Sequence, residues 1–309
     1  MSAGMRAKLA KFPDVELAPW VVRWSRWVVL GVLVAMAASH LRWMIADWNL
    51  HDMNVYWDAA MRLRNGQELY AAVDPIDVYR YAPWFAYAWV PLTYLPKPMV
   101  DVGWSAILLV ASGIAIWPLI RERTRGSLLV ALLLGPLLFA ISSVGNIQPL
   151  MMLALLYGIP RASGPIWIAL AASLKVVPIA FVLIYVSRRE WSKVAWSLVL
   201  TAGLGAPALL YHIPPEVISP GAAHTLPLAA VAVVATVSLI VATAIAWRSQ
   251  RWAPLAAATA SVLVLPRLFL YEVSMLLVGT LPVRSAADAA AMPAHSGPEL
   301  IARPQQQHL

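Results

Sequence analysis

Three features of this chain predict an all-α integral membrane protein, a polytopic helical bundle of about eight to ten membrane helices. The first is composition: 61% of residues are hydrophobic, only 12% are charged, and the mean hydropathy is +0.70, too apolar for a soluble fold. The second is that long apolar runs recur from one end of the 309 residues to the other. The third is that basic residues gather in short clusters beside those runs, so the net charge of +8 reads as membrane anchoring, and nucleic acid is not an expected partner. The absence of Cys excludes disulfides, thiolate catalysis and Cys-ligated metal.

Arg6, Lys8 and Lys11 precede the first apolar run, 22–45, and Arg23 and Arg26 stand at its start, which places the N-terminus in the cytoplasm. The run is long, begins late and lacks a small-residue cleavage site, so it reads as a retained helix rather than a signal peptide. The loop 46–82 reverses the charge balance, with Asp47, Asp52, Asp58, Glu68, Asp74 and Asp77 against Arg62, Arg64 and Arg80, and is expected outside the cytoplasm. Within it, 52–64 has helical periodicity. Val55, Ala59 and Leu63 share a face, Gly66 supplies the stop, and a short helix lying on the membrane surface is predicted.

Apolar runs follow at 83–96, 100–120, 127–142, 148–159, 164–186, 193–211, 226–247 and 253–281. Several are broken by Pro or fall short of the ~20 residues of a full span, so half-helices and re-entrant pieces are expected, with their backbone satisfied by protein or a water-filled cavity. Arg121, Arg123 and Arg125, then Arg188, Arg189 and Lys193, then Arg248 and Arg251 all carry a cytoplasmic signature. For the three clusters to share a side, 83–96 must not cross fully, and 164–186 must be a broken hairpin with Lys175 near its outer tip; if 83–96 does cross, the Arg121 cluster faces outward against the charge rule. Residues 1–282 read as one transmembrane domain. Residues 283–309, rich in Ala, Pro and Gln without periodicity, are expected to be disordered.

No phosphate-binding glycine loop, paired-His metal motif or nucleophile elbow is present. Chemistry must come from polar positions scattered along the chain: Asp52, Tyr56, Asp58, Arg62, Arg64, Tyr70, Arg80, Tyr81, Asn146, Gln148, Lys175, Arg267, Tyr271 and Glu272. Lys175 lies inside an apolar run and precedes the helix-interrupting Pro178, a pattern that suits anion binding at a broken helix. Asp52 has two readings, a functional carboxylate or an N-cap bonded to the amide of Asn54 or Val55. Asp58 and Arg62 stand four apart, as in a solvated helix pair, and Arg64 is expected to snorkel to headgroups. Asn146 and Gln148 fit either a cross-helix bond or substrate contact, and Arg267 with Glu272 either a buried pair or part of a site.

These residues fall in an order that carries a family resemblance. Val55-Tyr56, Asp58-Ala59-Ala60, Gly66 and Tyr70 are followed by Tyr79-Arg80-Tyr81-Ala82-Pro83, Gly145-Asn146-Ile147-Gln148 and Leu174-Lys175-Val176-Val177-Pro178. The sequence resembles glycosyltransferase family 87, the polyprenol-phosphate-mannose-dependent mannosyltransferases, most clearly over 50–190, and is more distantly similar to the lumenal mannosyltransferase of glycosylphosphatidylinositol assembly. The resemblance implies a C-type, multi-spanning glycosyltransferase of the cell membrane with an extracytoplasmic site. It further implies a polyprenyl-phosphate sugar donor, a glycan or glycolipid acceptor, and a catalytic Asp in the first outer loop, which maps onto Asp52. Two departures stand out. Leu50 occupies the place of a second acid found in the eukaryotic branch, so no metal or other cofactor is expected, and Tyr271 aligns where many bacterial members place a His.

The implied chemistry suits these residue types. Inverting transfer needs one base for the acceptor hydroxyl, assigned to Asp52, and cations for the leaving phosphate, assigned to Arg80, Lys175 and Arg267. Tyr56, Asp58, Tyr81, Asn146, Gln148, Tyr271 and Glu272 are the remaining substrate-binding candidates. Fifteen Trp and ten Tyr suit an interfacial belt and sugar stacking. The alternative is a non-catalytic membrane protein, a transporter of lipid-linked precursors or a scaffold, although no internal hydropathy repeat of the transporter kind is present.

Overall fold

A computed structural model describes residues 19–47, 50–71, 78–122, 125–214, 228–265 and 269–281, and all regular structure within them is helical. The first apolar run forms α1 (Pro19–Asp47), and the acidic loop after it contains α2 (His51–Arg64). α2 ends where the sequence predicts, at Gly66, whose φ of +69° is a left-handed conformation that costs glycine little.

The surroundings of α2 correct the expectation of a helix resting on lipid. Met53, Val55, Tyr56, Ala59 and Ala60 are buried, and α2 packs on α3 (Pro83–Trp89) and the 3-10 turn Val90–Tyr94. Tyr56 meets Phe85 edge to face with ring centroids 5.0 Å apart. Arg64, expected among headgroups, donates to the Thr93 carbonyl at 2.8 Å and lies 4.0 Å from the centroid of the Tyr94 ring. Hydrogen bonding and stacking on the neighbouring turn hold this guanidinium against protein.

Run 83–96 forms a seven-residue helix followed by a five-residue 3-10 turn, shorter than a full ~30 Å span. α4 (Lys97–Glu122) and α5 (Arg125–Ser142) form an antiparallel pair, with the Ser112 and Ser142 hydroxyls 3.1 Å apart and Trp104 Nε1 donating to Gly145 O at 2.7 Å. α6 (Gln148–Gly158) and α7 (Gly164–Leu174) are 11 residues each. At ~1.5 Å per residue each spans about 16 Å, roughly half of a ~30 Å hydrocarbon core, and α7 returns to the level where α6 began. Lys175 sits at that return in extended backbone (φ −135°, ψ 120°) because Pro178 disfavours continuing the helix. The chain descends again through the 3-10 turn Val177–Phe181 and α8 (Val182–Ser187). Lys175 is therefore the tip of a broken hairpin.

α9 (Trp191–Gly205) continues through the 3-10 turn Ala206–Leu210, and α10 (Leu228–Arg248) leads to α11 (Ala253–Leu263) and a 3-10 helix, Leu270–Thr280. Among the described residues, four stretches are long and apolar enough to cross a membrane: Trp24–Arg42, Lys97–Arg121, Trp191–Leu210 and Ala229–Arg248. The other apolar helices are shorter, 10–17 residues. Val28, Val110, Val233 and Ile240 are exposed on the outward faces, an apolar surface suited to lipid rather than water.

The chain's charges separate along these helices. Asp52, Asn146, Gln148 and Lys175 lie at one end, where α2 meets the start of α6 and the tip after α7. Arg121 and Arg161 line a common cavity one helix length away, and Arg189 lies 3.4 Å from the Trp247 ring centroid, beside Arg248. The Asp52 end thus carries charges of both signs, with Arg62, Arg64 and Arg80 near Asp52 and Asp58, while Arg121, Arg161, Arg189 and Arg248 lie at the other.

Candidate active site

A tight turn builds the centre of the site. Residues 143–147 link α5 to α6, and Gly145 takes φ +79° there. A Cβ on Gly145 would stand 2.7 Å from Met53 Cβ and 3.1 Å from Met53 N, so α2 can approach this closely only because the position is glycine. The approach lets the Asp52 amide donate to Val144 O at 2.9 Å and brings the Asp52 carboxylate against Asn146.

The hydrogen bonds fix how Asn146 is turned. Its Oδ1 accepts the Gln148 backbone N–H at 2.8 Å at the start of α6, so its Nδ2 faces Asp52 Oδ2 and donates at 2.5 Å. This arrangement excludes the N-cap reading of Asp52. The residue lies inside the first turn of α2, Leu50 is the N-cap, and no side chain caps that end.

Gln148 continues the polar chain. Its Oε1 accepts from Lys175 Nζ at 3.1 Å, and its Nε2 donates to Ser274 Oγ at 3.4 Å. Lys175 Nζ also donates to Glu272 Oε1 at 2.9 Å and stands 5.0 Å from the Tyr271 ring centroid. Glu272 is buried, with a side chain only 4% exposed, so its charge is compensated by the ammonium and not by water. The predicted partner of Glu272, Arg267, lies outside the described residues; the cation found beside Glu272 is Lys175.

Tyrosines close the other side. Tyr56 OH donates to Tyr81 OH at 3.0 Å and accepts from Ile147 N at 3.2 Å, and Tyr70 OH donates to Tyr81 O at 2.9 Å. Burial pushes both the Tyr56 and Tyr81 phenols well above the ordinary tyrosine value, and the negative charge of Asp52 adds to the effect on each. Both therefore remain neutral hydrogen-bonding groups at physiological pH. Arg80 is exposed, and its charge is felt at the Tyr81 phenol. Asp58 is exposed on α2, where its charge acts on Arg62, in keeping with a solvated pair.

The fold thus gathers Asp52, Tyr56, Tyr81, Asn146, Gln148, Lys175, Tyr271 and Glu272 from five separate stretches of chain. Sequence reasoning missed Ser274, which holds Gln148, and Trp104, which bonds Gly145 O. Neither carries a sequence signal, since an isolated Ser or Trp in a membrane helix is ordinary. Among the described residues no group of three His, Asp or Glu side chains is placed to hold a metal ion.

Beside the site, a groove of about 520 Å³ runs down α6 and α7. Trp84, Ile147 and Leu174 line its upper part, next to Asn146 and Lys175, and Tyr157, Arg161 and Trp167 line its lower part. Its walls are almost wholly apolar, the surface a hydrocarbon chain requires.

Residues 79–219 match the family Glycosyltransferase family 87. Arg80, Tyr81, Asn146, Gln148 and Lys175 fall inside the matched segment, and Asp52, Tyr56, Tyr271 and Glu272 outside it. No curated protein and no solved structure matches the chain.

Proposed function

We propose, from the match of residues 79–219 to Glycosyltransferase family 87, that the chain is a membrane glycosyltransferase and moves a hexose, expected to be mannose, from a polyprenyl phosphate to an acceptor outside the cytoplasm. Asp52 is the base. It takes the acceptor hydroxyl proton as that oxygen bonds to the anomeric carbon, and the bond from that carbon to the phosphate oxygen breaks, its electron pair leaving on the phosphate. The observation that supports this reading is the run of polar contacts from the Asp52 carboxylate to Asn146, from Asn146 to the Gln148 backbone, and from the Gln148 side chain to the Lys175 ammonium.

An ammonium has three donors, and Gln148 and Glu272 take two. The third is available to a phosphate oxygen, whose growing charge it stabilises best in a site poor in water. Arg80, exposed at the same end, adds a second positive charge, and the groove below Ile147 and Leu174 takes the carrier's hydrocarbon chain. With the Asp52 end outside, the arginine-rich end faces the cytoplasm, in accord with the positive-inside rule.

Membranes containing the chain are expected to transfer labelled sugar from polyprenyl-phosphate mannose, and Asp52→Asn to abolish the transfer. Full activity in that variant would remove Asp52 as base. Carrier binding without turnover by the unaltered chain would instead fit a non-catalytic carrier protein.

A further inference from the structure

The end of the bundle opposite Asp52 holds a second cavity, of about 560 Å³, between α4, α6 and the C-terminal 3-10 helix. Ala115, Leu119, Leu156, Leu277 and Leu281 form apolar walls, and Arg121, Tyr157 and Arg161 contribute its polar groups. Arg121 and Arg161 are both exposed. Arg161 Nη1 donates to the Tyr157 carbonyl, and its guanidinium lies 5.7 Å from the centroid of the Tyr157 ring. That contact fixes the side chain and leaves most of its five donors for a ligand.

We infer that this cavity binds an anionic glycerophospholipid of the adjacent leaflet, with its phosphate between Arg121 and Arg161 and an acyl chain against the apolar walls. Charge argues for an anion. The C-termini of α4 and α6 bring about −0.5 each, which two guanidiniums exceed. Between residues 115 and 161 the chain has four arginines, Arg121, Arg123, Arg125 and Arg161, against the single acid Glu122. The walls argue for a lipid rather than a free phosphate, because a small hydrated anion gains nothing from a leucine-lined cavity. The cavity shares Tyr157 and Arg161 with the lower end of the groove beside the proposed donor site, but the polar chain from Asp52 to Lys175 lies at the other end of α6.

The test is native mass spectrometry of the full-length protein, released from micelles containing equal amounts of phosphatidylglycerol and phosphatidylcholine. Phosphatidylglycerol should be retained preferentially. Two basic contacts at ~1 kcal/mol each correspond to a loss of about thirtyfold in the Arg121→Gln/Arg161→Gln variant. Arg248→Gln/Arg251→Gln, at the same end but away from the cavity, should keep the preference. Equal retention of the two lipids by the unaltered protein overturns the inference even if the cavity variant does not fold. So does an equal loss in the control variant, or competition by glycerol phosphate as effective as that by the intact lipid.

Discussion

The Lys175–Glu272 pair offers the sharpest quantitative test, because it joins two distant stretches of chain in a nearly dry site. The side chains are 15% and 4% exposed and 2.9 Å apart. Lys175→Met leaves the Glu272 carboxylate buried without its cation, a loss that costs 3–5 kcal/mol for fully buried pairs and about 3 kcal/mol here, where the ammonium keeps some contact with solvent. Glu272→Gln is milder, about 1–2 kcal/mol, because the ammonium keeps Gln148 Oε1 and that same contact. The double variant contains no uncompensated charge, and should be more stable than the sum of the single losses predicts by about 2 kcal/mol. Equilibrium unfolding in mixed micelles, followed by the fluorescence of the 15 Trp residues, measures all four proteins. Additivity within ~0.5 kcal/mol would refute the pairing. On the proposed mechanism the double variant should regain stability without regaining sugar transfer, since the ammonium assigned to the phosphate is gone.

Asn146→Ala removes the bond to Asp52, a charge-assisted contact of ~1.5–3 kcal/mol, so a fall of roughly 10- to 100-fold in kcat is expected in the same transfer assay, with unfolding changed far less. Gly145→Ala and Gly66→Ala both impose a side chain on left-handed backbone, but only the first meets α2. We expect ~1 kcal/mol for Gly66, where the added methyl finds open space, and several times that for Gly145, with transfer lost; equal costs in unfolding would contradict the close approach of Met53. Burial pushes the Tyr70 phenol up to about 12. Its folded value thus exceeds the ~10 of an unfolded chain, so its stabilising effect is complete below pH ~10 and is lost as pH rises towards 12. Ultraviolet phenolate titration of the protein and of Tyr70→Phe should differ by a component near that upper value, and identical curves would contradict the burial.

The sequence marked the runs that became α4, α5, α9 and α10 because hydrocarbon-facing residues must be apolar whatever their neighbours are. The shortness of the 83–96 piece and the break in the chain after Lys175 were legible for a related reason, since Pro178 acts locally. Asp52, Asn146 and Lys175 could be singled out as costly polar groups in an apolar chain. What joined them could not. The bond from Asn146 to Asp52 depends on a left-handed Gly145 that lets α2 approach, and Glu272 found Lys175 across 97 residues of sequence. The apolar face of α2 was correctly located, but whether lipid or α3 covered it was a question of packing, as was the turn that captured Arg64. Sequence alone determined the apolar runs and the residue types available for chemistry, because each is set by transfer from water and by local backbone preference. Tertiary structure decided which of those residues meet, because a hydrogen bond or ion pair depends on ångström-scale distances that no single segment controls.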